Sequence, residues 1–145
     1  MADPVPQGNE AYLSEMDIRI WLRDTDPEAN KLLDDWEFGQ EEIRTAMTLA
    51  IDFWNEEPPH IPGYHIANFP YRHALLKGTA ANLLFIASNL YRRNRLQYRT
   101  AGGGVTDQDK APTYDAAGDR LWQEYVSWVR RNKRSLNMQL GWGLI

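Results

Sequence analysis

The segment Asn94 to Lys110, with its run Gly102-Gly103-Gly104, lies between two long stretches of apolar helical periodicity and dictates a reversal of the chain. It reads as a glycine-turned β-hairpin wedged between two helices. A hairpin of two short strands is marginal in water unless its edges are covered by another strand or a helix. Leu96, Gln97, Tyr98, Arg99, Val105 and Thr106 are therefore expected to pair with a neighbouring subunit, which points to assembly rather than catalysis.

The expected fold is mainly α, a four-helix bundle-like domain with one inserted β-hairpin and extended N- and C-terminal arms. Residues 1–12, rich in Pro, Gly and polar groups, read as a flexible arm, residues 13–137 as the helical domain and 138–145 as a docking tail. Ser14 followed by Asp17 approximates a helix start, with Met16, Ile20 and Trp21 on one face and an end near Asp24. Leu32, Leu33, Trp36 and Phe38 belong to a connector closed by Gly39. From Gln40 to Asn55, Ile43, Met47, Ala50, Ile51 and Trp54 recur at helical spacing, and Glu41 and Glu42 suit the positive end of the helix dipole. Pro58-Pro59 stops that helix. A proline-rich loop leads to a helix from Tyr71 to Arg93, where Gly78, Ala80, Ala81 and Ala87 admit close approach of a partner helix. The last helix spans Tyr114 to Asn137, and its Leu121, Trp122, Tyr125, Val126, Trp128 and Val129 exceed one buried face, implying a second contact surface.

At 145 residues the chain fits one domain, and with no cysteine it offers neither disulfide, thiolate nor thiolate-bound metal. No apolar run reaches the length of a bilayer span, and the first residues lack the basic and apolar regions of a signal peptide, so a cytosolic origin without membrane contact is expected. The net charge of −4 conceals a division: residues 1–88 hold 6 Lys+Arg against 15 Asp+Glu, and residues 89–145 hold 10 against 5. Such a dipole orients identical subunits in a ring or sets one sign toward a channel; equally, each half simply solvates its own helices.

The C-terminal Leu136, Met138, Leu140, Trp142, Leu144 and Ile145 alternate large apolar residues with polar residues and glycines. An apolar tail docks either on the chain's own core or on a partner, with Trp142 the natural anchor.

Signs of chemistry are few. His60, His65 and His73 have no ligand spacing and read as loop or interface histidines. Asp34-Asp35, Glu41-Glu42 and Glu56-Glu57 are neighbours pointing different ways, not an acid and base pair. The glycine run lacks the Lys-Ser/Thr of a phosphate-binding loop. No catalytic residue, metal site or cofactor is expected, and an enzyme resting on the histidine loop ranks last. Arg92, Arg93, Arg95 and Arg99, interleaved with Tyr91 and Tyr98, and a second cluster of Arg130, Arg131, Lys133 and Arg134, can meet either DNA phosphates or acidic residues of an adjacent subunit.

An amphipathic helix ending in Phe53-Trp54-Asn55 before Pro58-Pro59, a small-residue helix from Leu75 to Leu90, then Asn94-Arg95-Leu96-Gln97-Tyr98 with Gly102-Gly103-Gly104-Val105, a polar stretch through Asp107, Asp109 and Lys110 to Tyr114, and a final helix together resemble the neck proteins of tailed bacteriophages. The resemblance is to head-to-tail connector (adaptor) proteins and covers about Gln40 to Asn137. It implies a non-enzymatic virion structural protein, assembled in the host cytoplasm into a homo-oligomeric ring, usually of twelve. The ring joins the portal protein to the next neck or tail protein, and genomic DNA passes through its lumen without sequence-specific contact. The C-terminal tail grips the portal. A tail-completion or stopper protein of the same neck, and a small nucleic-acid-binding DNA-packaging factor using Arg92 to Arg99, are the competing readings.

Overall fold

Ser14 opens the first helix by a reciprocal cap: its hydroxyl accepts from the Asp17 N–H at 3.1 Å, while its own N–H donates to Asp17 Oδ2 at 3.0 Å. The computed structural model describes residues 13–22, 38–60, 63–100 and 111–141, with the side chains of 94–100 and 111 left out of account. Four α-helices follow in order: α1 Glu15–Leu22, α2 Gln40–Glu56, α3 Arg72–Thr100 and α4 Ala111–Gln139. The expected arm (1–12), Asp24 and most of the connector (Leu32, Leu33, Trp36) lie outside the described residues.

Helix α2 follows its sequence pattern closely. Ile43, Met47, Ala50, Ile51 and Trp54 are all buried, with Ala46 beside them. The helix starts after Gly39 and stops as the chain enters the cis Pro58-Pro59 peptide. Asn55 then clasps the loop, donating from Nδ2 to the Tyr64 carbonyl at 2.8 Å and accepting from the Tyr64 N–H at 2.9 Å. This clasp places Tyr64, Phe69 and Tyr71 around Trp54, whose ring centroid lies 6.1, 5.8 and 5.3 Å from theirs.

Helix α3 runs antiparallel to α2, since Asn82 donates to the Ala46 carbonyl at 3.1 Å while Gly78 meets Ala50. It runs antiparallel to α4 as well, with Lys77 against Glu124 and Tyr91 stacked on Tyr114. Gly78 makes both approaches possible: a Cβ there would lie 3.0 Å from the Ala50 methyl and 3.1 Å from the Tyr125 ring. Ala80, Ala81 and Ala87 are buried, so the small residues of α3 receive helices of their own chain. Helix α1 is tied to the start of α3 by the Arg72–Asp17 ion pair at 2.8 Å.

The expected β-hairpin is not formed: no strand occurs among the described residues, and Leu96, Gln97, Tyr98 and Arg99 continue α3 to Thr100. Asn94 to Thr100 carries Arg, Leu and Gln, good helix formers, and no glycine or proline before Gly102, so nothing breaks the helix there. Val105 and Thr106 lie outside the described residues. The architecture is thus mainly α, with the chain reversing between two 29-residue helices.

Much of the aromatic surplus of α4 packs within the chain. Trp122 packs edge-on to Phe53 at 5.3 Å and Trp128 lies 5.4 Å from Trp54, while Leu121, Tyr125, Val126 and Val129 are buried. The Tyr125 hydroxyl donates to the Ala50 carbonyl, joining α4 to α2 at the centre of the core.

Candidate interaction surface

Because α4 buries Leu121, Tyr125, Val129 and Lys133 on one side, Arg120, Glu124, Ser127, Arg131 and Arg134 face outward from the other. Tyr71 and, from the start of α3, Arg72, His73 and Lys77 stand beside them. Between the two helices runs an open groove of about 960 Å³ with Trp128 and Tyr71 on its wall. Its charge is lopsided, since Arg72, Lys77, Arg120, Arg130, Arg131 and Arg134 line it with Glu124 as its one carboxylate among the described residues.

Part of that charge is already answered. Lys77 pairs with Glu124 at 3.1 Å, Arg72 with Asp17 at 2.8 Å, and Arg130 reaches Glu57 at 3.7 Å. Arg120, Arg131 and Arg134 have no ion-pair partner among the described residues. The opposite side of the bundle is acidic. Glu41, Glu42, Asp52 and Glu56 are exposed along the outer face of α2, where Arg44 is the one base and Leu49 stands out at 49% exposure. Partial burial pushes the Glu42 carboxyl above its usual range.

The residues expected from sequence are scattered over these surfaces. Arg92 is paired with Asp115 and Arg93 is exposed; Arg95 lies within α3 beyond the residues whose side chains are described. Arg130 and Arg131 border the groove. Lys133 does not join them: it is 1% exposed and donates to the Pro59 carbonyl at 2.7 Å, so it cannot serve as a phosphate contact. Burial holds its ammonium below the usual lysine range, with Glu57 opposing that shift.

Of the tail residues, Leu136 is half-buried on the core, whereas Met138 and Leu140 are exposed at the end of α4. Trp142, Leu144 and Ile145 lie outside the described residues. The sequence reading missed Arg72, His73, Lys77 and Arg120 as members of the groove. The helical spacing of Arg120, Glu124, Ser127, Arg131 and Arg134 was the available signal for the α4 side.

The histidines do not converge. His60 Nδ1 lies 3.3 Å from the Asn55 carbonyl, and His65 shapes its own turn by accepting from the Ala67 N–H at 3.3 Å, while His73 stands on α3. Among the described residues no three histidines or carboxylates gather to hold a metal ion, and no helix is long and apolar enough to cross a membrane. Comparison with protein-family models, with curated proteins and with solved structures finds no match to this chain.

Proposed function

We propose that this chain is a structural subunit of a tailed-phage neck, a head-to-tail connector that forms a ring between portal and tail around the DNA channel. The observation that carries the reading is the placement of opposite charge on opposite sides of one helical bundle. A ring of identical subunits needs heterologous contacts, in which the face presented to the neighbour ahead differs from the face presented to the one behind. The acidic outer side of α2 and the cationic α3/α4 groove are two such faces. The end of α4 adds exposed Met138 and Leu140 leading into Trp142, Leu144 and Ile145, a continuation suited to docking on the portal.

The three groove arginines with no ion-pair partner among the described residues favour a second reading, a DNA-packaging factor that holds phosphates there. Solution mass separates the two. The purified protein is measured alone, with a portal ring and with duplex DNA. A connector assembles stoichiometrically on the portal, and replacing Trp142, Leu144 and Ile145 with serine leaves the fold intact but abolishes that association. Normal portal binding by the serine variant removes the docking role of the tail. A protein that ignores the portal but binds DNA with steep salt dependence is the packaging factor instead.

A further inference from the structure

The two charged faces match each other in spacing as well as in sign. In the groove, half-buried Trp128 is preceded by Arg120 eight residues earlier and followed by Arg131 and Arg134 three and six residues later. On the outer face of α2, exposed Leu49 is preceded by Glu41 eight residues earlier and followed by Asp52 and Glu56 three and seven residues later. At the helical rise, each surface has an apolar centre with charges at about 5 and 10 Å on one side and about 12 Å on the other. At every station the signs are opposite.

We propose that α2 of one copy lies in the α3/α4 groove of the next, parallel to α4. Leu49 then packs on Tyr71 and Trp128, and Glu41, Asp52 and Glu56 pair with Arg120, Arg131 and Arg134. The direction follows from the spacing. A parallel α2 keeps all three pairs and sets neutral Thr45 opposite Glu124, whereas an antiparallel one with Leu49 on Trp128 sets buried Ala46 and Ile43 opposite Arg131 and Arg134 and loses two of the pairs. Since the two faces lie on opposite sides of one bundle, the contact repeats from copy to copy rather than closing as a dimer. A nucleic acid would satisfy the arginines but leave Leu49 and the acidic stripe uncovered. The proposal rests on the ring reading and names the surfaces that build the ring.

The chain has no cysteine, so introduced thiols give a direct test. Thr48 and Ser127 are exposed and immediately precede Leu49 and Trp128, which sets them level with each other on the flanks of the contact, too far apart for a disulfide but within reach of a short flexible bis-maleimide. Thr48→Cys and Ser127→Cys proteins are mixed and treated with that reagent, both concentrated in solution and assembled on a portal ring. The expected result is a thioether bridge between copies in the mixture and in neither protein alone. Adding Arg131→Glu and Arg134→Glu to the Ser127→Cys copy lowers the yield about tenfold, and Asp52→Arg with Glu56→Arg on the other copy restores it. Equal cross-linking of Thr48→Cys alone, no cross-link in either setting, or no rescue overturns the proposal. So does duplex DNA binding that is lost with the groove arginines while the cysteine pair stays unlinked. A protein that rings the portal without the cross-link keeps the connector reading and loses this contact; a cross-link in a protein that ignores the portal does the reverse.

Discussion

The ammonium of Lys133 lies 4.5 Å from the ring centroid of Trp54 and donates to the Pro59 carbonyl at 2.7 Å. One buried cation thus pins the loop after α2 to the last third of α4. Two opposing terms decide what its removal does. Lys133→Met leaves the Pro59 carbonyl without its donor, a loss of about 1–3 kcal/mol, but relieves the desolvation of a buried charge. The net expectation is a loss of about 1–2 kcal/mol in chemical denaturation, because the methionine stem still fills the space. Lys133→Ala adds a cavity against Trp54 and is expected to exceed the methionine variant by about 1–2 kcal/mol.

Tyr125 gives the fold an alkaline limit. It is fully buried, donates to the Ala50 carbonyl, and burial pushes its phenol well above the ordinary 10.0. Above the ordinary value the unfolded chain releases this proton while the folded chain keeps it. Its contribution to stability is therefore fully present below about pH 10 and falls as pH rises beyond it. Tyr125→Phe is expected to lose about 1 kcal/mol at neutral pH and to show a shallower decline between pH 10 and 11. Denaturant midpoints measured against pH check both parts.

The contrast between legible and illegible features follows from which forces act locally. Ile43, Met47, Ala50, Ile51 and Trp54 announce α2 because one helix face is enough to state the pattern, and Ser14 with Asp17 announces α1 because the cap is made within one turn. Lys133 looks like Arg131 and Arg134 in sequence. Only the loop delivered by Pro58-Pro59 buries it, and that partner lies 74 residues away. The glycine run marked the reversal after α3 but said nothing of how the chain approaches it, so Leu96 to Arg99 read as a strand although helix propensity carries α3 through them. The groove was hidden for the same reason as Lys133, being assembled from the start of α3 and the middle of α4. Its acidic counterpart on α2 was visible as isolated charges, without the spacing that links them to Trp128.

Gly78 is wedged between α2 and α4. A methyl there would lie 3.0 Å from the Ala50 Cβ, which is fixed to the α2 backbone and can give way only if the helix moves. In an exposed helix the change to alanine would gain about 1 kcal/mol of propensity. Here overpacking of about 1–3 kcal/mol opposes that gain, and Gly78→Ala is expected to lower the thermal midpoint rather than raise it. Gly118→Ala is the comparison, since its nearest neighbour at 2.9 Å is the ring edge of half-buried Phe85. That ring can swing, so the loss is expected to be the smaller of the two, and an equal or larger loss would place the tight contact at the α3/α4 side instead.

Asp17 sets the acid side of the stability profile. Partial burial pushes its carboxyl upward, but the Ser14 backbone N–H, the Ser14 hydroxyl and Arg72 together outweigh that and hold it below 3.8. A carboxyl depressed in the folded state contributes stability that is fully present above the unfolded value and is lost as pH falls through the folded one. Asp17→Asn keeps the size of the side chain but removes the charge that faces Arg72 and one acceptor of the Ser14 cap. At neutral pH this is expected to lose about 1 kcal/mol or less, in keeping with a partly solvated pair. As pH falls past the ordinary carboxyl value the difference between variant and parent is expected to shrink, and the two converge only below the depressed folded value, where the parent has protonated the same group. Backbone amide exchange across Glu15–Leu22 locates the effect: faster exchange in the variant at neutral pH, equal rates in acid, and no change in the amides of α2. Loss spread evenly over all four helices would mean that α1 unfolds only with the whole bundle, and that its tie to Arg72 is part of the core's cooperativity.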